Sequence, residues 1–127
     1  MILDNLGRDS YVIFKVDGNQ KVKEWPQYNE PLKTTPPSTA TKYTQVPVKY
    51  IIDGIDVQPN TADDRIPKKL GAMIDAGFTF APLGKYTSQS IIRKTEKTVS
   101  GRKVLKDTNN SKEDFDVFDL AQPRGFK

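Results

Sequence analysis

The feature that most constrains this chain is the shortness of its apolar runs, which nine prolines and eight glycines separate. The clearest run is 45–57, where Val46, Val48 and Tyr50 alternate with other residues before two consecutive isoleucines break the phase. Alternation with a period of two predicts a half-buried strand, and a break in phase followed by glycine predicts a bulge or bend. The chain is therefore expected to form short strands joined by turns and long loops.

Two hairpins are predicted from runs that lie on either side of a turn signal. Residues 10–16 are β-branched and aromatic, and they are followed by Asp17-Gly18-Asn19 and by a short partner strand at 21–25. In the second half, residues 97–99 and 103–107 flank a Ser-Gly-Arg turn. Both patterns are typical of antiparallel strand pairs.

Four further segments complete the prediction. Residues 78–80 and 114–120 predict strands, and four prolines among polar residues predict an extended loop over 26–41. Apolar residues near helical spacing allow one short helix near 65–75, or an irregular loop in its place. The predicted fold class is therefore all-β with long loops.

Two residue types are missing, because the chain has no cysteine and no histidine. The missing cysteine excludes disulfides, thiolate metal sites and cysteine nucleophiles. The missing histidine removes the commonest general base near neutral pH and the commonest transition-metal ligand, and it excludes a Ser-His-Asp triad within the chain. We therefore interpret the chain as non-enzymatic and expect no cofactor.

The charge pattern predicts a solvated surface and no nucleic-acid partner. The net charge is +4 and 28% of the residues are charged, with both signs interspersed, whereas a nucleic-acid footprint needs clustered Lys and Arg with aromatics between them. No apolar run approaches the roughly 20 residues that a membrane-spanning helix needs. The first residues also lack the basic start and apolar core of a signal peptide.

Residues 107–114 have the composition of a calcium loop. Asp107, Asn109 and Ser111 would supply oxygen ligands at its first, third and fifth positions. The EF-hand pattern then needs glycine and glutamate where this chain has Lys112 and Phe118, so an EF-hand is excluded. An irregular calcium site at Asp107, Asn109 and Ser111 is left as an alternative to ordinary turn chemistry.

Two other sets of side chains are candidates for a site. Trp25, Tyr28 and Tyr43, with Tyr50 nearby in sequence, could form an aromatic face that binds a ligand such as a sugar or peptide, although packing accounts for the same residues. A carboxylate pair for the hydrolysis of a glycoside would come from four aspartates. These are Asp53, Asp56, Asp63 and Asp64.

An ordered series of motifs from Lys42 onward carries a resemblance to a known family. The motifs span 46–55, 65–67, 74–79, 84–87, 90–94, 101–111 and 113–115. A chain with these motifs resembles an uncharacterised domain family of Bacteroidetes-type secreted or surface lipoproteins, which is similar to lamin-tail-like domains. The resemblance is strong over the C-terminal two-thirds of the chain.

The resemblance implies an immunoglobulin-like, lamin-tail-like β-sandwich in a single domain over 1–127, as the C-terminal portion of a longer family domain. It implies an extracytoplasmic setting, at the cell surface or secreted, and no catalytic residues. We expect a non-catalytic binding or structural module that displays the 26–41 and 56–72 loops to a protein or glycan partner. Unpaired strand edges would allow a homo-oligomer. A carbohydrate-binding accessory domain and a carboxylate-based hydrolase are the alternatives.

Overall fold

Short strands make up most of the regular secondary structure in this computed structural model, which describes residues 8–18, 21–30, 32 and 34–127. The strands are β1 (Ser10–Phe14), β2 (Gln27–Asn29), β3 (Lys42–Thr44), β4 (Ile51–Asp56), β5 (Ser90–Arg93), β6 (Thr95–Val99), β7 (Arg102–Leu105) and β8 (Phe115–Phe118). A single turn of α-helix, α1, spans Ser111–Asp114, and 3-10 helices span Val22–Glu24, Val48–Tyr50 and Ala62–Asp64. The predicted all-β class is confirmed.

The strands pair as antiparallel two-stranded sheets, in the combinations β1–β4, β2–β3, β5–β8 and β6–β7. Two of these pairings, β2–β3 and β6–β7, join strands that follow each other in the chain, and the other two join strands that are far apart in sequence. The immunoglobulin-like packing of sheets that the resemblance implies stays a prediction. Across the described ranges, the structure has no helix that is long and apolar enough to cross a membrane.

The predicted hairpin in the second half of the chain is confirmed by β6 and β7. Val99 lies opposite Arg102 in their register. The two residues between them, Ser100 and Gly101, both have positive φ angles, of 49° and 79°. A two-residue turn with both φ angles positive matches the right-handed twist of the flanking strands, which is why such turns close hairpins.

The strand predicted over 45–57 is confirmed only in its second half, as β4, because Val48–Tyr50 forms a 3-10 helix in place of the first half. The predicted bulge is confirmed where β4 pairs with β1. Ile13 lies opposite Asp53 and Phe14 lies opposite Ile51, so the register skips Ile52. The skipped side chain is exposed. Breaking the phase at two consecutive isoleucines lets the strand change the face that it presents to the rest of the molecule.

The predicted first hairpin is wrong at its second strand. Residues Val22–Glu24 form a 3-10 helix, and β1 pairs with β4 instead. Trp25 follows this helix and stacks on Tyr50, with ring centroids 5.4 Å apart and an angle of 11° between the planes. Aromatic stacking thus draws the segment toward the end of the Val48–Tyr50 turn. Asn19 of the predicted turn lies outside the described residues.

Two other segments differ from the sequence prediction. The strand predicted at 78–80 is reduced to one parallel bridge between Val57 and Thr79. The loop predicted over 26–41 contains β2, which pairs antiparallel with β3. Near 65–75, where a short helix or an irregular loop was allowed, the segment is irregular, and the α-helical turn of the described chain lies at α1.

Nearly all the buried residues of the described chain are polar. They are Asp56, Gln58, Asp75, Thr79, Ser111 and Asp114, and Pro59 is the apolar residue that is buried with them. Each buried carboxylate must be compensated, because an unpaired charge removed from water is strongly destabilising. The interior is therefore organised by hydrogen bonds to aspartates.

Asp75 is the most connected of these aspartates. One carboxylate oxygen accepts from the backbone N–H groups of Gly77 (3.0 Å) and Ser111 (2.8 Å). The other oxygen accepts from the backbone N–H of Asp56 (2.8 Å) and from the Ser111 hydroxyl (2.5 Å). The Asp56 carboxylate in turn accepts from the Ser10 hydroxyl (2.8 Å) and from the backbone N–H of Lys69 (3.2 Å). These bonds tie β1, β4, the 65–77 segment and α1 together.

Gly77 allows the close approach that this network needs. Asn110 caps α1, because its side-chain oxygen accepts from the backbone N–H of Lys112 at 3.2 Å. A Cβ atom at residue 77 would lie 2.1 Å from that same oxygen and 3.0 Å from the Lys112 nitrogen. A side chain here would push the start of α1 away from Asp75.

We expect Gly77→Ala to lower the free energy of unfolding by about 2 kcal/mol, because the added methyl group overlaps a capping oxygen and backbone atoms. Gly71→Ala is the matched control, since a Cβ there meets nothing within 4 Å. The control should change stability by no more than about 1 kcal/mol in either direction. Urea unfolding of both variants measures the difference, and equal stabilities would contradict the argument.

Candidate functional site

A cleft of about 610 Å³ lies between two loop segments, residues 57–64 after β4 and residues 81–89 before β5. The segments leading to it are held side by side by backbone hydrogen bonds. The Gln58 N–H donates to the Thr79 carbonyl, and the Thr79 N–H donates to the Asp56 carbonyl, both at 3.0 Å. The cleft therefore lies directly after the C-terminal end of β4, where Asp56 is buried.

Gln58 is the buried polar residue of the cleft wall. Its side chain is only 3% exposed, and its amide oxygen accepts from the backbone N–H of Ile66 at 3.2 Å. Its amide nitrogen has no hydrogen-bond acceptor in the part of the chain that the structure describes. The buried side-chain atom without a partner among the described residues is the Thr95 hydroxyl, so the Gln58 nitrogen keeps contact with solvent at the cleft and offers its donors there.

The 57–64 wall is fixed from behind by Arg65. Its guanidinium donates to the Pro59 carbonyl (3.2 Å) and to the Asn60 carbonyl (3.1 Å), and it also lies over the rings of Phe78 and Phe80. Across the cleft, the Asn60 side-chain amide donates to the Pro82 carbonyl at 3.2 Å. The two walls are thus joined at one end of the cleft.

The opposite wall holds an unusual backbone conformation. Gly84, Tyr86 and Ser88 all have positive φ angles, of 83°, 60° and 61°. For the two residues with side chains, this left-handed conformation costs of order 1–3 kcal/mol and persists only where the surroundings fix it. Here the Thr87 hydroxyl donates to the Gly84 carbonyl at 2.8 Å, and the Ser88 carbonyl accepts from the backbone N–H of Ala121 at 2.9 Å.

Tyr86 is presented to solvent by that conformation. Its side chain is 80% exposed at the cleft. The remaining lining is rich in amide and hydroxyl groups, contributed by Asn60, Thr61, Thr87, Ser88 and Gln89. The charged side chains of the described lining are Arg8, Lys85 and Asp64, all exposed, which leaves an excess of positive charge.

The aromatic residues that the sequence suggested for ligand binding lie elsewhere. Trp25 is half-buried between Tyr50, on which it stacks, and Phe14, whose ring meets it edge-on at 5.9 Å. Tyr28 and Tyr43 lie opposite each other on β2 and β3, with ring centroids 6.4 Å apart. None of the three lines the cleft, and their ligand-binding role stays a prediction.

The side chains suggested for calcium have separate partners. Asp107 lies 3.4 Å from the guanidinium of Arg93, and the buried Ser111 hydroxyl donates to Asp75. Asn109 is exposed with a positive φ of 55°. Within the described ranges there is no cluster of three or more acidic side chains that could hold a metal ion. The irregular calcium site stays a prediction.

The four aspartates considered for hydrolysis lie in different environments. Asp53 forms an ion pair with Arg93 at 2.6 Å, and Asp56 is buried with Ser10 and Lys69 as its donors. Asp63 and Asp64 are exposed in the 3-10 turn Ala62–Asp64. Of these, Asp64 alone lines the cleft.

The sequence analysis did not propose the residues of the cleft as a site, for two different reasons. Residues 84–87 form one of the motifs that carry the family resemblance, so a signal existed, but nothing in the motif showed which side chains face a cleft. Gln58 gave no signal, because a single glutamine in a polar stretch is ordinary until burial is known.

Asp114 is the acceptor that closes the 107–114 loop. Its carboxylate accepts from the backbone N–H groups of Thr108 (2.8 Å) and Asn110 (3.2 Å) and from the Thr108 hydroxyl (2.8 Å). Burial by itself would raise the pKa of this carboxyl, but the three hydrogen bonds and the positive charge of Arg93 together hold the pKa below its ordinary value of 3.8. The folded structure therefore stabilises the ionised form of the Asp114 carboxyl.

We expect Asp114→Asn to destabilise the fold at pH 7 by about 1–3 kcal/mol, since the amide leaves a buried donor facing a backbone N–H. Because the folded-state pKa is lowered, the stability that Asp114 contributes is present above the unfolded-state pKa and is lost as pH falls through the folded-state value. The gap between variant and wild type should therefore narrow below pH 3.8.

Urea unfolding at a series of pH values from neutral to acid measures this gap. Asp17→Asn is the matched control, because Asp17 is exposed and its replacement should leave the free energy of unfolding unchanged. A gap that stays constant into the acid range would show that the ionised carboxylate is not what holds the loop.

Comparison with known proteins gave one match. The family described as "Protein of unknown function (DUF4876)" matches residues 1–121, which is nearly the whole chain. The searches of the curated proteins and of the solved structures found no match.

Proposed function

The chain belongs to the uncharacterised DUF4876 family, and from that premise we propose that it is a non-catalytic binding module whose ligand enters the cleft between residues 57–64 and 81–89. The family supplies no activity, so the proposal rests on the geometry of the chain. The observation that carries it is the cleft of about 610 Å³, lined by amide and hydroxyl side chains from both segments, with the nearly buried Gln58 side chain held in its wall.

The Gln58 amide has a directional consequence. Its nitrogen keeps contact with solvent at the cleft, since the buried side-chain atom without a partner among the described residues is the Thr95 hydroxyl. The Gln58 oxygen already holds the Ile66 N–H, so rotation of the amide would break one bond to make another. A ligand acceptor in the cleft satisfies the nitrogen without disturbing the wall.

The size and stiffness of the cleft support the same proposal. Its volume of about 610 Å³ falls in the range of roughly 300–1,000 Å³ that is usual for small-ligand sites. The left-handed residues Tyr86 and Ser88 show that the surrounding structure imposes a conformation on this wall. Strain of this kind concentrates at ligand clamps and active sites.

The chemistry of the lining supports binding without catalysis. Amide and hydroxyl groups share the described wall with apolar side chains, and Asp64 is its carboxylate. Glycoside hydrolysis uses two carboxyl groups on opposite sides of the scissile bond, so the hydrolase alternative has weaker support than binding. The proposal of an extracytoplasmic setting, with a protein or glycan partner at the cell surface, rests on the motif resemblance.

The proposal predicts that small polar ligands perturb the cleft. In a titration of the ¹⁵N-labelled chain with nucleotides, short peptides and oligosaccharides, at least one class should shift the backbone amides of 57–64 and 84–89. The side-chain amide resonance of Gln58 should shift with them. Shifts confined to other regions, or none with any class, would contradict the binding module.

Gln58→Glu sharpens the test, because it keeps an oxygen for the Ile66 N–H and replaces the donor with an acceptor. The ligand found in the titration should bind the variant about tenfold more weakly, equivalent to roughly 1.4 kcal/mol. Gln27→Glu on exposed β2 is the matched control and should bind as the wild type does. Thermal unfolding establishes that both variants are folded.

A further inference from the structure

We propose that the ligand of the cleft is an acidic oligosaccharide, a chain of sugars that carry carboxylate groups. This inference rests on the binding role proposed above and names the class of ligand that the lining fits. The argument uses the hydrogen-bonding groups of both walls, the exposed ring at the rim and the charges beside it.

The walls offer donors and acceptors in close alternation. Hydroxyl and amide side chains both donate and accept, and they come from both segments, at Asn60 and Thr61 on one side and at Thr87, Ser88 and Gln89 on the other. Sugar hydroxyls likewise donate and accept, so a polyhydroxylated ligand can satisfy such a lining in many places at once. The Gln58 side chain, which is 3% exposed as a whole, adds the donors of its amide nitrogen to the lining.

Tyr86 supplies the apolar surface that a sugar ring needs. Its phenol ring is 80% exposed, and a tyrosine ring combines a broad apolar face with a polar tip. A sugar presents C–H groups on its faces and hydroxyls around its edge, which matches a ring beside hydrogen-bonding groups. A nucleotide base would be better served by apolar groups on both of its faces, and the cleft offers one exposed ring.

The charges at the rim favour an anionic ligand. Lys85 is exposed beside Tyr86 and forms no ion pair with the described residues, and Arg8 contributes a second positive charge to the lining. Asp64 is the described carboxylate that opposes them. Carboxylates spaced along a sugar chain would be attracted to this rim, and dissolved salt would screen the attraction.

The aromatic site that the sequence suggested for sugars is less suited to this role. Both neighbours of Trp25 occupy its ring, since Tyr50 stacks on one face and Phe14 meets it edge-on. The exposed Tyr43 provides a matched control for Tyr86.

Isothermal titration of the full chain with galacturonic acid oligomers, galactose oligomers of equal length, and ADP tests the inference. The galacturonate oligomer should bind about tenfold more tightly than the neutral oligomer, and its affinity should fall about threefold or more as salt rises from low to high. ADP should bind more weakly than the galacturonate oligomer.

Tyr86→Asn removes the ring with a residue that tolerates a positive φ. It should weaken galacturonate binding about fivefold or more, equivalent to roughly 1 kcal/mol, while Tyr43→Asn leaves binding unchanged. Lys85→Gln should reduce the preference for the acidic oligomer over the neutral one. All three positions are exposed, so the variants should melt close to the wild-type temperature.

The outcomes separate the two proposals. Equal binding of both sugars, or preferred binding of ADP or a peptide with shifts in the cleft, overturns the acidic oligosaccharide and leaves the binding module standing. Sugar binding that is lost in Tyr43→Asn but kept in Tyr86→Asn overturns this site. Absence of cleft shifts with every class overturns both proposals.

Discussion

The hydrogen bonding of Asp75 is the interaction on which the rest of the described structure depends. Two carboxylate oxygens accept from Asp56, Gly77 and Ser111, so a single side chain joins β4, the irregular 65–77 segment and α1. A carboxylate removed from water without these donors would be strongly destabilising. Because the donors come from widely separated parts of the chain, the bonds are gained together when those segments assemble. The aspartate therefore supplies the long-range order that an apolar core supplies in most domains.

The cleft follows from this arrangement. The Asp56 N–H donates to Asp75, and the Asp56 carbonyl accepts from the Thr79 N–H. The Thr79 carbonyl accepts in turn from the Gln58 N–H. Backbone hydrogen bonds that continue from the buried Asp75 thus hold residues 56–58 beside Thr79 at the base of the cleft. The wall above is then free to carry polar side chains, since its position is fixed from below and by Arg65 from behind.

Local patterns in the sequence predicted the structural features that neighbouring residues determine. The β6–β7 hairpin was predictable because its turn residues take positive φ angles, and the bulge in β4 because two isoleucines break a period of two. The partner of β1 was not predictable from local patterns. A turn signal at Asp17 and Gly18 suggested a partner strand close by in sequence, whereas the observed partner, β4, is about forty residues away. The cleft was not predictable either, because burial of Gln58 and the left-handed backbone of Tyr86 and Ser88 arise from tertiary contacts. Three of the segments concerned are also motifs that carry the family resemblance, at 74–79, 84–87 and 113–115. Their part in the Asp75 hydrogen-bond network and in the cleft wall depends on the three-dimensional structure.

The polar interior has a thermal consequence. The heat capacity increment of unfolding rises with the apolar surface that becomes hydrated and falls with the polar surface. In the described ranges the buried residues are three aspartates, a glutamine, a threonine, a serine and one proline. The increment per residue should therefore lie below the usual value of about 12–15 cal/mol/K. A small increment flattens the dependence of stability on temperature, so the folded population would change little between a cold and a warm environment.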